Sequence, residues 1–215
     1  MKIRYLGHSC FELTAKNGVK VLTDPYRGVG YELPHGLSAD VITISHGHFD
    51  HNYIDGVKAV NVVATSERFE KDGVEIVGLD TYHDPKQGAL RGKNIIYKIK
   101  MDGMEICHFG DLGEAYRDDF SKKIGSPDVL LIPVGGTYTI DWREAKEYAD
   151  KLSVKLIVPM HFKPKDGTLD IAEIEYFINQ YQSEEVVACP CGEIDLSQQD
   201  LNESKKQILY MERIK

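Results

Sequence analysis

Apolar and polar residues alternate in short runs through the first half of the chain, and turn residues close each run, the pattern of strands with one buried face. It predicts strands over residues 2–6, 11–15, 19–23, 41–44, 60–64, 74–79, 94–100 and 104–109. Asn17-Gly18 and Asp102-Gly103 mark hairpins, because such pairs tolerate positive φ. In the second half the period changes. Strands over 129–132, 156–158 and 186–188 are separated by segments whose apolar residues recur every three or four positions. One helix is predicted from about Asp141, with Glu144 completing a capping-box pattern and Ala145, Tyr148, Ala149 and Leu152 on its buried face. A second is predicted from about Asp170, with Ile171, Ile174, Phe177, Ile178 and Tyr181 as a core-facing stripe. No internal repeat, low-complexity tract or linker interrupts the pattern, so residues 1–215 are expected to form one α/β domain, a sheet sandwich covered by helices.

Composition narrows the setting. With 42% hydrophobic and 28% charged residues the chain can bury a core, which excludes a disordered protein. No apolar run approaches the ~18–20 residues of a membrane span, and residues 1–13 lack the basic start and apolar stretch of a signal peptide. A cytoplasmic location away from the membrane is therefore expected. Twenty-six basic against 34 acidic residues give a net charge of -8, which argues against nucleic acid as a partner. The four cysteines are expected to be reduced thiols, and Cys189-Pro190-Cys191, lacking the C-x-x-C spacing of redox pairs, reads as the exit from a strand.

The chemistry is concentrated after the strand at 41–44, where Ser45-His46-Gly47-His48-Phe49-Asp50-His51 places three imidazoles and a carboxylate within six positions. These are the favoured ligands of Zn²⁺ and neighbouring divalent metals, and a loop leaving a strand end can turn them inward around an ion. A solvated polar loop would not need four such groups so close together. They can also be divided between two ions ~3.5–4 Å apart that share a hydroxide. Two ions need further ligands, and His83, Asp111 and His161 each stand where a strand gives way to a loop. His108, three positions before Asp111, points to the opposite face of an extended strand, and His35 has no partner at ligand spacing.

His46-x-His48-x-Asp50-His51 resembles the signature of the metallo-β-lactamase fold superfamily. Leu6-Gly7-His8-Ser9, Thr23-Asp24-Pro25, His108-Phe109-Gly110-Asp111, Pro133-Val134-Gly135-Gly136 and Pro159-Met160-His161 are similar, in order, to landmarks of its small single-domain metal-dependent hydrolases. That subgroup is similar to the ascorbate-phosphate lactonases and, more distantly, to certain phospholipase D-type enzymes. The resemblance implies a four-layer αβ/βα sandwich with the site at the sheet edges. It assigns His46, His48 and His83 to one metal and Asp50, His51 and His161 to the other, with Asp111 bridging them. Asp84-Pro85 departs from the small polar residues expected after His83.

Other residues have two readings. His8 is either a partly buried histidine or a polar group facing the metals and substrate, and the Gly7-His8-Ser9 turn favours the second. Asp24 either starts a turn or, as the resemblance implies, orients the metal loop. The fold it implies also brings Tyr138 and Thr139 near the site. Lys86, Arg91 and Lys93 follow His83, and Lys163 and Lys165 follow His161; they are ordinary solvated loop charge or, beside two dications, a funnel for an anion. The expectation is a hydrolase with two divalent ions, zinc ahead of manganese or iron. In it a shared hydroxide, oriented by Asp50, attacks a small anionic ester or lactone. A phosphodiesterase is the alternative reaction, and a metal-binding regulatory module the alternative without one.

Overall fold

The computed structural model describes residues 1–203 and 205–214. Strands β1 (Lys2–Gly7), β2 (Cys10–Thr14), β3 (Lys20–Thr23), β4 (Ser38–Thr43) and β5 (Lys58–Val63) join β13 (Glu193–Asp195) in a six-stranded sheet of order β13-β1-β2-β3-β4-β5. The eight-stranded sheet contains β6 (Phe69–Lys71), β7 (Val74–Tyr82), β8 (Lys93–Met101), β9 (Met104–His108), β10 (Val129–Pro133), β11 (Leu156–Met160), β12 (Val186–Cys189) and β14 (Gln207–Met211). Its order is β12-β14-β11-β10-β9-β8-β7-β6. The strands β6, β13 and β14 are absent from the sequence prediction.

The two sheets share one apolar core, to which Ile3, Phe11, Val21 and Val41 contribute from the first sheet and Ile76, Ile99, Ile106 and Leu131 from the second. Burying each such side chain contributes roughly 1.5–3 kcal/mol. On its other face the six-stranded sheet buries Leu6, Leu22 and Ile42 under a second cluster that includes Tyr26, Val29, Tyr31 and Leu33. The α/β sandwich is as expected, but this outer cover is an irregular strap around residues 24–37 instead of a helix. Over the other sheet lies α2 (Trp142–Lys151), after α1 (Asp118–Ile124). Its N-cap Asp141 and Glu144 form the expected capping box, and Ala145, Tyr148 and Ala149 are buried.

The predicted helix from Asp170 shrinks to α3 (Glu175–Ile178). Its first residues are engaged elsewhere: Lys163 N–H donates to Ala172 O at 2.9 Å and Ala172 N–H to Gly135 O at 2.7 Å, so extended pairing replaces the first helical turn. The stripe still reaches the core, where Ile171, Ile174 and Phe177 are buried. A short α4 (Gln198–Glu203) precedes β14. Among the described residues no helix is long and apolar enough to cross a membrane.

Strand direction positions the site. The pairing of β1 with β2 and of β2 with β3 is antiparallel, whereas β3 and β4 are parallel, so β1, β3 and β4 run the same way. By the same rule β7, β9, β10 and β11 run together in the other sheet. Every sequence-predicted ligand and His8 follows the C-terminal end of one of these strands. The sheets are also fastened together there: Ile95 N–H donates to Ser45 O at 2.9 Å, and His161 N–H to His8 O at 2.9 Å.

Candidate metal centre

The predicted ligands converge into groups whose ligand atoms lie within 4.8 Å of one another. One group is His46, His48 and His83, and another is His8, Asp50, His51 and His161. Asp111 joins them. Its Oδ2 is 3.4 Å from His83 Nε2, 3.2 Å from His161 Nε2 and 4.0 Å from His46 Nε2, while its Oδ1 is 3.1 Å from His51 Nε2. A third group, His46, His51 and Asp111, links the other two.

The donor set fits a metal. His51 Nε2, His161 Nε2 and Asp111 Oδ1 are buried and lack a hydrogen-bond partner, although they converge on one another. Orphaned buried polar atoms are costly in a folded protein, and a divalent cation with imidazole and carboxylate ligands would satisfy them together.

Asp24 does more than start a turn. Its carboxylate is buried and accepts from Ser45 N–H at 2.7 Å, Ser45 Oγ–H at 2.5 Å and His51 Nδ1–H at 2.9 Å. Ser45 Oγ is in turn 3.0 Å from His46 Nδ1. One carboxylate thus sets the ring of a ligand in each group and directs both Nε2 atoms inward. Asp24, His8 and His161 adopt φ of 38°, 52° and 51°, a conformation costly for such residues, of the kind that clusters at functional sites.

His8 faces the cluster. It is 1% exposed, its Nε2 is 3.2 Å from Asp50 Oδ2, and its ring centroid is 4.2 Å from that of His161. Tyr31 fastens this turn by accepting from His8 N–H at 3.1 Å, and Tyr5 Oη–H donates to His8 O at 3.0 Å. His108 is not brought into either group; it donates from Nε2 to Ser9 O at 2.8 Å. Tyr138 and Thr139 sit on the loop after β10. There Arg91 donates to Thr137 O at 3.1 Å and stacks over the Tyr138 ring, so Tyr138 meets Arg91 instead of a ligand.

Two supporting residues escaped the sequence reading. Asn94 is buried, donates to Thr81 Oγ1 and Phe109 O, and accepts Asp111 N–H at 2.9 Å, fixing the ligand loop. The adjacent Gly110 has φ of 54°, and a Cβ there would overlap Asn94 and Ser45, so glycine is required. Asp84 accepts backbone N–H bonds from Lys86, Gly88, Leu90 and Arg91, which gathers the loop after His83 and explains the departure noted there. Both act through contacts distant in sequence, or through backbone, that periodicity cannot reveal.

The cations separate into two places. Arg91 and Lys93 line a cavity of about 860 Å³ together with His46 and His48. Lys163 and Lys165 line another, of about 610 Å³, beside Gly7, Tyr31 and Arg213. Lys163, expected near the substrate, thus lines a different cavity from His46 and His48, and no ligand side chain borders it.

Charge across the cluster is polarised. Burial lowers His8 to about 4 and His46 to about 3, with neighbouring histidines adding to the shift, so both are neutral at pH 7. Burial opposes charge on His51 too, but Asp111 and Asp24 on its two sides raise it well above the ordinary histidine range. Asp111 is held far below the ordinary carboxylate range, against burial, by His161 and His51. Asp50 is lowered, again against burial, by the hydrogen bond from His8. A metal ligand must be neutral imidazole, so metal binding at neutral pH has to release the His51 proton. The apparent affinity should then rise about tenfold per pH unit below the folded His51 pKa. Calorimetry in buffers of different ionisation enthalpy would show the released proton, and an affinity flat from pH 6 to 8 would refute the arrangement.

A model for the beta-lactamase superfamily domain matches residues 2–161. The chain belongs to that superfamily. Among its superfamily relatives, a UPF0173 metal-dependent hydrolase of Methanoregula boonei is 29% identical over 75% of this chain and 82% of its own. Another UPF0173 metal-dependent hydrolase, from Pyrococcus furiosus, is 30% identical over 75% and 84%. A solved structure from Thermotoga maritima, assigned as a Zn-dependent hydrolase of the metallo-beta-lactamase superfamily, is 35% identical, covers 99% of both chains and superposes with a TM-score of 0.79. The sequence resemblance to the superfamily and its sandwich fold are thereby established.

Proposed function

We infer that this superfamily member is a metal-dependent hydrolase with two divalent ions, zinc foremost, acting on a small anionic ester or lactone. The observation that carries this reading is the pair of ligand groups joined by Asp111, with buried Nε2 and Oδ1 atoms that lack other partners. His46, His48 and His83 would hold one ion, Asp50, His51 and His161 the other, and Asp111 both. Such ions, when bound, lower the pKa of water toward ~7 and polarise the oxygen of the bond under attack. The chain's own residues do the rest. His8 donates from Nε2 to Asp50, fixing the carboxylate that orients the attacking water or takes its proton at Oδ2. Arg91 and Lys93, in the cavity with His46 and His48, would receive the anionic part of the substrate.

Metal analysis after chelator-free purification should find about two ions per chain, because seven ligands exceed the four of one zinc. The loaded protein should hydrolyse lactones or esters from a panel that also contains phosphodiesters, thioesters and amides. Arg91→Glu should raise KM for a phosphorylated lactone about tenfold, the scale of one charge-assisted contact, with little change for its unphosphorylated analogue and less effect in high salt. Lys163→Glu, in the other cavity, should leave both unchanged. A preparation that never exceeds one ion, or one that cleaves only phosphodiesters, would overturn this reading.

A further inference from the structure

The chain crosses from the edge of one sheet to the edge of the other at Cys189-Pro190-Cys191-Gly192, between β12 and β13. The four residues form a turn closed by Gly192 N–H donating to Cys189 O at 3.2 Å. Pro190 stands at its second position, where its fixed φ pre-sets the turn. Gly192 has φ of 65°, and a Cβ there would overlap Glu212 O, so the turn is tightly specified. Glu212 N–H also donates to Cys189 O, at 3.1 Å, and Tyr5 N–H to Gly192 O, at 2.9 Å, which ties the turn to both sheets.

This frame holds the two sulfurs 3.5 Å apart, and both thiols point at one acceptor, Glu193 O, at 3.4 and 3.2 Å. Their exposure differs: Cys189 is 7% exposed, whereas Cys191 is open to solvent. Residues two apart, with consecutive Cα atoms 3.8 Å from each other, cannot be separated by more than about 7 Å even when extended, and a turn brings them within the ~4.4–6.8 Å a disulfide spans. An accessible thiol in direct contact with a second, shielded thiol is the arrangement of an attacking and a resolving cysteine. We propose that Cys189 and Cys191 form a reversible dithiol/disulfide site whose co-reactant is a low-molecular-weight disulfide.

The electron count is that of thiol–disulfide exchange. The Cys191 thiolate attacks one sulfur of the small disulfide, forming a mixed disulfide and expelling one small thiolate. Cys189 gives its proton to solvent, and its thiolate attacks the Cys191 sulfur, forming the Cys189–Cys191 bond and expelling the second thiolate. The protein is oxidised by two electrons and loses two protons, and the small disulfide is reduced to two thiols. Contacts with the Glu193 backbone and the Cys189 thiol lower the Cys191 pKa, whereas burial raises that of Cys189, in keeping with these roles. The bond in so short a loop should be strained, and so readily reduced.

The test exposes metal-loaded protein to glutathione disulfide, quenches with acid, and alkylates the denatured chain before mass spectrometry. Of the four cysteines, only Cys10 and Cys107, both buried, should still be alkylated. Peptide mapping should show a Cys189–Cys191 link, and dithiothreitol should restore four reactive thiols. Cys189→Ser should stop at glutathione bound to Cys191, while Cys191→Ser should leave Cys189 unmodified. Four alkylated thiols in the wild-type chain after prolonged exposure, or stable glutathione on wild-type Cys191 without an internal bond, would overturn the proposal. Melting curves of both variants check that the fold is kept, and neither result depends on the hydrolytic activity.

Discussion

Asp111→Ala is expected to lower kcat/KM by about a thousandfold or more and to reduce metal content below two ions per chain. Asp111 approaches histidines of both ligand groups, within 3.1 to 4.0 Å, so its loss would weaken both ions and their common alignment. Metal-based stabilisation of a transition state is worth several kcal/mol, and each 1.36 kcal/mol is a factor of ten in rate, which sets the scale. His8→Ala removes a neighbour of Asp50 and should cost only about 10- to 100-fold, the usual range for residues that orient ligands. Asp111→Asn separates charge from shape: it keeps the side-chain volume and should recover little activity. Steady-state kinetics with metal analysis on folded variants would decide, and a larger loss for His8→Ala than for Asp111→Ala would place the shared ligand elsewhere.

The second large effect falls on stability. Asp24→Ala should destabilise the protein by about 3 kcal/mol or more, because it strands the His51 imidazolium and two Ser45 donors in a buried site. For a chain of this length that corresponds to a fall in Tm of roughly 10 °C. Metal affinity should drop as well, since Asp24 sets His51 directly and His46 through Ser45. Asp24→Asn tolerates the left-handed backbone and keeps an acceptor for Ser45 N–H, but presents donors to His51 and the Ser45 hydroxyl. It should recover part of the stability and little of the affinity. A Tm within about 2 °C of wild type for Asp24→Ala, with normal metal uptake, would show that the network is ornamental.

Most of the fold was legible because its strands are short, apolar and closed by turn residues. Of the strands that escaped, β6 is a three-residue partner of β7 across Asp72-Gly73, whereas β13 and β14 depend on distant partners. Residues 193–195 carry little hydrophobic pattern and are strand because β1 offers its edge at Arg4↔Glu193 and Ile3↔Ile194. The helix expected from Asp170 had the right periodicity, but Ala172 found backbone partners across the molecule before a helix could use it. The candidate ligands were legible for a local reason, since each follows a strand and four fall within six positions, His46 to His51. Lys163 follows His161 yet lines a different cavity from His46 and His48, because closeness in sequence says nothing about which side of a loop a long side chain takes.

β14, the last strand in chain order, lies between β11 and β12 and is parallel to both. During synthesis, therefore, β11 emerges with an open edge and β12 follows with no neighbour to pair with until residues 207–211 have left the ribosome. β1 likewise waits for residues 193–195 to cover its outer edge. The large sheet cannot zip in the order in which it is made, and incomplete chains display unpaired apolar edges of the kind that aggregate. Closure of the sheet thus waits for residues 207–211, and is governed by contacts between distant parts of the chain and correspondingly slow.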